Sequence, residues 1–275
     1  MIELPAGTSG RSAIEIARDC SGRASAIALD RYRAMESGSI IARTQKSRGN
    51  YVTDTDFACE LAALDVLRAE FPEMQVLSEE TAAKVENWSE GWLWVIDPID
   101  GTSNFARGIP TFAFNIALCQ DGEPVLGLTH QPVTGVEFFA VQGGGLTVNG
   151  QPASVSEAAG MAEALTGFGL GYDYERSKLM LTLLAETWPG IMMAQNIGSA
   201  ALGLAYTASA RFDLYIHSFL YPWDMAAGII QVREGGGLVL DRQGEPITVY
   251  SEGIIAGVPG PVQEFAEKTK ERRWR

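Results

Sequence analysis

Histidine and cysteine are scarce in this sequence. Only His130 and His217 occur, and Cys20, Cys59 and Cys119 stand far apart. No zinc site of the Cys/His kind can be built from such spacing. An odd, scattered set of thiols predicts the reduced cysteines of a cytoplasmic protein, buried as small hydrophobes, rather than a disulfide framework. Long apolar runs are missing as well: none approaches the roughly 20 residues needed to cross a bilayer. The opening MIELPAGTSGRS lacks the basic and apolar regions of a secretory signal, so none is expected. Basic charge is also short, with 21 Lys and Arg against 34 Asp and Glu and a net charge of −13. That balance argues against a nucleic-acid polymer or a membrane as partner. It suits the binding of cations, or of an anion that arrives with cations. The one basic cluster, KTKERRWR, reads as a solvated helix end. GxSxG and GxxxxGK[ST] loops are absent, and GFGLGY at 167–172 lacks the GxGxxG spacing of a dinucleotide loop.

What is present is a chain of 275 residues, 46% hydrophobic, long enough for one large domain or two lobes. Ala and Ile at helical spacing predict a first helix over about 11–38, followed by a polar loop or ribbon through 53. A second helix is expected over about 55–70, with Asp54 as its cap, Phe57, Leu61 and Leu64 as its stripe and Pro72 as its stop. QVLSEE and GWLWVID read as short strands. Residues 112–152 alternate apolar runs with DG, TG, GGG and NG turns, the pattern of an antiparallel meander. Beyond about 160, helices expected near 176–188, 199–209, 224–234 and 261–273 alternate with strands, as in an α/β lobe. The expected organisation is a single catalytic unit of two lobes, about 1–152 and 153–275, without repeat or linker.

One stretch carries most of the chemistry: WVIDPIDGTSNF, residues 94–105. An apolar strand delivers Asp97 at its carboxyl end, where α/β proteins place their sites. Pro98 keeps Asp97 out of the helical region and turns the chain. Asp97, Asp100 and the Ile99 carbonyl between them can then converge, while Gly101-Thr102-Ser103 offers backbone N–H groups to an anion. Hard oxygen ligands beside such amides suggest Mg²⁺ bridging to a phosphoryl group. An Asp-Pro-x-Asp-Gly turn capped by its own side chains explains the pentapeptide equally well on its own. Further acids tip the balance: Glu79 and Glu80 after a strand, Asp56 at a helix start, and Asp224 at the head of WDMAAGIIQVREGGG.

WVIDPIDGTSNFARGIP and PWDMAAGIIQVREGGG resemble the two signatures of the inositol monophosphatase family, lithium-sensitive, magnesium-dependent phosphomonoesterases. SEE at 78–80, YVTDTD at 51–56 and NIGSAALGLAYTASARFDLYI at 196–216 fall on matching segments, so the resemblance spans nearly the whole chain. It implies an α/β fold, a layered αβαβα sandwich of the inositol monophosphatase/fructose-1,6-bisphosphatase type, and a homodimer. It further implies that Glu79, Asp97, the Ile99 carbonyl, Asp100 and Asp224 hold two or three Mg²⁺ ions. Thr102 and Asp56 would orient the attacking water, and the Gly101 and Thr102 amides would hold phosphate. Gly198, Ser199, Ala200, His217 and Asp224 would face the alcohol of a small phosphorylated substrate. The implied substrates are inositol 1-phosphate or a related sugar phosphate, with fructose 1,6-bisphosphate, histidinol phosphate and 3′-phosphorylated adenosine nucleotides as alternatives. A non-catalytic binding or regulatory member is the reading from another class. Asn50 stands where many members carry an acid, Lys46 is kept, and His217 replaces a frequent Glu. Imidazole accepts through one nitrogen only and can carry positive charge near pH 6.5. Substrates with a second anionic group are therefore expected to gain. Gln231 interrupts the apolar run of the second signature and is expected to be a tolerated packing choice.

Overall fold

The computed structural model describes residues 2–39, 41–47, 50–81 and 90–274. Helix α1 (Ala13–Glu36) starts on a capping box: the Ser12 hydroxyl accepts the Glu15 N–H, and the Glu15 carboxylate accepts the Ser12 N–H. It buries Ile16, Cys20, Ala24 and Ala28, whose four-residue spacing makes one narrow face. Helix α2 (Asp54–Glu70) lies against that face. The Cys20 thiol donates to the Ala63 carbonyl and the Cys59 thiol to the Ala24 carbonyl, so both cysteines are free thiols inside the helix pair.

Two local expectations are corrected here. Asp54 is the first residue of α2 and its cap is Thr53, which pairs with Asp56 in a second capping box. The segment expected as a polar loop or ribbon through 53 contains a defined antiparallel hairpin, β1 (Arg43–Ser47) with β2 (Asn50–Thr53). Its β-branched and aromatic residues, Thr44, Tyr51, Val52 and Thr53, favour extended chain, and the Arg43 guanidinium covers the Tyr51 ring at 5.0 Å. Residues 48 and 49 of the QKSRGN loop lie outside the described residues.

Strands β3 (Gln75–Ser78), β4 (Trp92–Asp100), β5 (Ala113–Gln120), β6 (Glu123–Gln131), β7 (Val136–Val141), β8 (Gly145–Val148) and β9 (Gln151–Ala153) form a seven-stranded sheet in chain order. All neighbours are antiparallel except β3 and β4, so the expected meander is present. A second, five-stranded sheet has the order β11-β10-β12-β14-β13, from β10 (Leu165–Gly169), β11 (Met193–Gln195), β12 (Leu214–His217), β13 (Leu238–Asp241) and β14 (Ile254–Gly257). Between β4 and β5 lies the short helix α3 (Thr102–Phe105). The other helices are α4 (Tyr174–Thr187), α5 (Ala200–Ala208), α6 (Pro222–Glu234) and α7 (Pro259–Thr269).

The buried clusters order these elements into layers. α1 and α2 pack on Trp94, Ile96, Phe114 and Ile116 on one face of the seven-stranded sheet. Leu93, Val95, Ala117 and Cys119 meet Ala226 and Ala227 of α6 on its other face. α5 and α6 then meet Tyr215, Ile254 and Ala256 of the five-stranded sheet through Leu204, Met225 and Ile229. The outer face of that sheet, with Leu214, Ile216 and Ile255, is covered by Met180 and Leu183 of α4 and Val262 and Phe265 of α7. This is the αβαβα sandwich, with α6 in its middle layer.

The terminal basic cluster is the solvated helix end expected, its described Lys and Arg residues exposed, but it also carries a buried ring. α7 ends at Thr269, and Trp274 folds back to bury its indole edge-on to Phe265 at 5.6 Å. An aromatic side chain amid the basic residues anchors that end of the chain.

Candidate active site

Asp97 and Asp100 are three residues apart and would point to opposite faces of a regular strand. The pairing with β5 prevents that. Asp97 lies opposite Asn115 and Asp100 opposite Ala113, so one extra residue is accommodated in β4 around Pro98. This bulge brings both carboxylates to the same face. Asp224 arrives from the first turn of α6, its carboxylate accepting the Tyr221 N–H at 2.7 Å. Each of the three acids offers an oxygen within 4.8 Å of the others.

Such convergence is costly for bare carboxylates. Burial, with the negative charges of Glu79, Asp100 and Asp224 added, holds the Asp97 carboxyl well above its ordinary range. Burial and the charges of Asp100 and Glu79 do the same to Asp224. Asp100 is pushed up to about 6 by burial, opposed by its hydrogen bonds to the start of α5. There it accepts from the Ser199 hydroxyl and from the Ala201 and Ala200 N–H groups at 3.1 and 3.2 Å. A cluster that gathers protons for want of positive charge is equally suited to a divalent cation, and its all-oxygen donor set fits Mg²⁺.

The remaining expected residues surround this cluster at different depths. Gly101 follows Asp100 with φ of 91°, and a Cβ there would meet the carbonyls of Thr111 at 3.1 Å and Gly198 at 3.2 Å. Only glycine lets the chain turn so closely. Thr102 comes next, its hydroxyl 3.0 Å from both Asp56 Oδ1 and the Ile99 carbonyl. Both neighbours are acceptors and the hydroxyl has one hydrogen, so Thr102 is held between them. Asp56 is fully buried behind Thr102, accepting from Thr53 N–H at 2.9 Å and Thr53 Oγ1 at 2.5 Å; burial pushes its carboxyl up to about 6. Glu79 lines the cavity, its charge bears on Asp97, and its carboxylate accepts from Lys46 Nζ at 3.0 Å. Lys46 also reaches Glu80 at 2.5 Å, and burial raises that acid to about 7. Asn50 lines the cavity at the start of β2.

The cavity has a volume of about 620 Å³. Gly198, Ser199, Ala200 and His217 also line it. His217 differs from expectation in its charge. It is 5% exposed, its Nδ1 accepts the Phe219 N–H at 3.2 Å, and burial pushes it down to about 3. The ring is therefore neutral at physiological pH, with its proton on Nε2. Its edge lies where a Cβ at Gly169 would be, so β10 needs glycine there.

Two features of the site went unread in the sequence, and a third was misread. Arg176 of α4 lines the cavity and lays its guanidinium 4.7 Å from the Phe219 ring centroid. Phe219, Tyr221 and Trp223 form a continuous aromatic run into Asp224, and the alternation F-x-Y-x-W was the available signal. Gln231 is not a neutral packing choice. It lies fully buried, and its amide donates to Thr129 Oγ1 at 3.0 Å and the Phe138 carbonyl at 3.1 Å. The Thr129 hydroxyl passes on to Asn115 Oδ1 at 2.7 Å.

Comparison with known proteins agrees with this geometry. The sequence profile of the inositol monophosphatase family matches residues 11–274. The chain belongs to the inositol monophosphatase family. An inositol monophosphatase of Dictyostelium discoideum is 32% identical over 260 residues, 88% of this chain and 96% of that protein. A relative named Nus factor SuhB, from Pasteurella multocida, is 33% identical over 248 residues, 86% of this chain and 92% of its own length. The crystal structure of extragenic suppressor protein suhB from Bartonella henselae superposes with a TM-score of 0.85 at 28% identity, covering 94% of this chain and 98% of that one. Family membership supports a metal-binding phosphatase of phosphate monoesters. Among the described residues no helix is long and apolar enough to cross a membrane.

Proposed function

We propose that the chain is a Mg²⁺-dependent phosphomonoesterase that hydrolyses a small phosphate monoester, with inositol 1-phosphate or a related sugar or polyol phosphate as reference substrate. The observation that carries the reading is the convergence of Asp97, Asp100 and Asp224 beside a glycine turn. Asp97, Asp100 and Asp224, with Glu79 and the Ile99 carbonyl, would hold two or three ions. When bound, Mg²⁺ polarises phosphoryl oxygens, lowers the pKa of water and favours the departing alkoxide. The chain's own residues do the rest. Thr102, held against Asp56, orients the attacking water, whose oxygen forms the new P–O bond as the ester P–O bond breaks. The Gly101 and Thr102 amides position the phosphate. Gly198, Ser199, Ala200, His217 and Asp224 face the alcohol. The two lobes, meeting near residue 152, act as one unit, and the setting proposed is a homodimer in the cytoplasm.

The deciding experiment is phosphate release from inositol 1-phosphate, glycerol phosphate and fructose 1,6-bisphosphate, with Mg²⁺ and with chelator. Release that requires Mg²⁺ supports the reading, and no release from any ester overturns it. A second reading, a binding or regulatory role, is favoured by the relative named Nus factor SuhB. The same assay separates the two. The four acids matched as metal ligands, Glu79, Asp97, Asp100 and Asp224, are all present, which favours catalysis.

A further inference from the structure

The stretch GFGLGY, residues 167–172, carries β10 into the cavity wall. Gly169 gives way to the His217 ring. Gly171 has φ of 67°, and a Cβ there would lie 3.2 Å from His217 Cε1. Just beyond, Asp173 caps α4, accepting the N–H groups of Glu175 at 3.0 Å and Arg176 at 3.1 Å. The Ser177 hydroxyl reaches back to the Leu170 carbonyl at 2.8 Å. Tyr172 is therefore held on both sides, by the close approach to His217 and by the first turn of α4.

The two ends of this side chain have different surroundings. Tyr172 as a whole is 46% exposed. Burial, with the negative charges of Asp224, Glu79, Asp100 and Asp97 added, nonetheless holds its phenol above the ordinary pKa. Solvent reaches the ring, while the hydroxyl faces inward toward the carboxylate cluster. Among the described residues that hydroxyl has no hydrogen-bond partner. A protonated phenol is a donor with one hydrogen to give. The charge that bears on it most is that of Asp224, the acid turned toward the alcohol in the proposed function. The phosphate is met from a different segment, by the Gly101 and Thr102 amides.

We propose that the Tyr172 hydroxyl donates to the ester oxygen of the substrate and protonates it as the alcohol leaves. This rests on the phosphomonoesterase reading and adds to it a catalytic residue from the second lobe. When the ester P–O bond breaks, its electron pair stays on the alcohol oxygen. That oxygen takes the Tyr172 proton, and solvent water, which reaches the half-exposed ring, returns a proton to the phenolate.

Ethyl phosphate and 2,2,2-trifluoroethyl phosphate test the role, because they are close in size and differ in the basicity of the departing alkoxide. Tyr172→Phe should lower kcat for ethyl phosphate and inositol 1-phosphate on the order of 10²-fold, the lower end for a positioned acid, and for the trifluoroethyl ester by less than about threefold. KM should change little. Calorimetric titration of Mg²⁺ should give the same affinity in Tyr172→Phe as in wild type, since only an unpaired hydroxyl is removed. Unchanged kcat on the alkyl esters, equal losses on the two ethyl esters, or a loss of Mg²⁺ affinity that matches the loss of kcat overturns the proposal. If wild type cleaves a polyol phosphate but neither ethyl ester, the change in kcat on that polyol ester, read beside Mg²⁺ affinity, decides in the same way. Each of those outcomes leaves the phosphomonoesterase reading standing. Wild-type protein that releases phosphate from no ester overturns that reading and the role of Tyr172 with it.

Discussion

The Asn115 side-chain amide donates to the Trp223 carbonyl at 2.8 Å. Asn115 lies opposite Asp97 in the β4–β5 ladder, and Trp223 is the residue before Asp224. One side chain therefore ties the strand that carries one carboxylate to the helix start that carries another. Behind it stand Thr129 and Gln231, each a donor to the next group toward the site. The whole chain is buried, so each lost partner leaves an unsatisfied polar atom.

The first prediction follows from that link. Asn115→Leu and Gln231→Leu should each weaken Mg²⁺ binding, on the order of tenfold as for other groups that orient metal ligands. Asn115→Leu should have the larger effect because it touches Trp223 directly. Calorimetric titration of Mg²⁺ reads this independently of turnover. Unchanged affinity in Asn115→Leu would leave the link a matter of packing alone.

The site and its supporting groups were not equally legible in the sequence. Asp97, Asp100 and Asp224 could be read because turn chemistry and strand ends are local. The bulge that brings Asp97 and Asp100 to one face was not visible, since it is defined by the register with β5. Gln231 was misread for the same reason: its partners Thr129 and Phe138 are about a hundred residues away and meet it only across the sheet–helix interface. His217 was assigned a possible charge because burial is a tertiary property. Thr53 and Asp54 both suit a cap, and only the backbone decides which one starts the helix. The layering was legible only through the resemblance, periodicity showing helices, meander and α/β lobe, whereas the pairing of the hairpin before α2 was hidden by its polar composition.

Asp97→Asn, Asp100→Asn and Asp224→Asn should each lower kcat by on the order of 10²-fold or more at saturating Mg²⁺, through lost electrostatic stabilisation. Without Mg²⁺ the sign reverses for stability. An acid whose folded pKa is raised binds its proton more tightly in the native state, so its stabilising contribution fades as pH rises from the unfolded value toward the folded one. For Asp100 that window runs from roughly 4 to about 6. Chelated Asp100→Asn should therefore gain melting temperature over wild type at pH 7.5 and gain less at pH 5. Near-normal kcat in all three variants would sink the metal assignment.

Thr102→Ala should lower kcat more than it raises KM, because the hydroxyl held by Asp56 is needed for the reacting water and little for ground-state binding. Thr102→Ser keeps an oxygen at the same place and should retain much more activity. Steady-state kinetics on a glycerol phosphate series would show it. Ala and Ser variants that behave alike would make Thr102 a turn residue only.

Lithium provides a test of the ion sites. Family membership leads us to expect uncompetitive inhibition by Li⁺, trapped as phosphate leaves, with Asn50 rather than an acid at the β2 edge of the cavity. Inhibition measured against substrate at fixed Mg²⁺ should lower kcat and KM together. Insensitivity to lithium would separate the chain from the inositol phosphatases while leaving phosphatase activity itself intact.

His217 is the residue for which structure changes the expectation most. With Nδ1 accepting from Phe219 and the ring buried to a pKa of about 3, it stays neutral from pH 5 to 8. It cannot then attract a second anionic group on the substrate, and the proton on Nε2 makes it a donor toward the cavity. Nitrogen chemical shifts of the ring should show the Nε2–H tautomer throughout that range, without titration. His217→Asn offers an oxygen to the Phe219 N–H and adds no charge, so the ratio of kcat/KM for fructose 1,6-bisphosphate over inositol 1-phosphate should be the same as in wild type. His217→Glu places a carboxylate beside the alcohol and should lower that ratio by repulsion. If His217→Asn lowers it as much, or the ring titrates near pH 6.5, the imidazole carries charge in the working enzyme and reads the substrate's second anion after all.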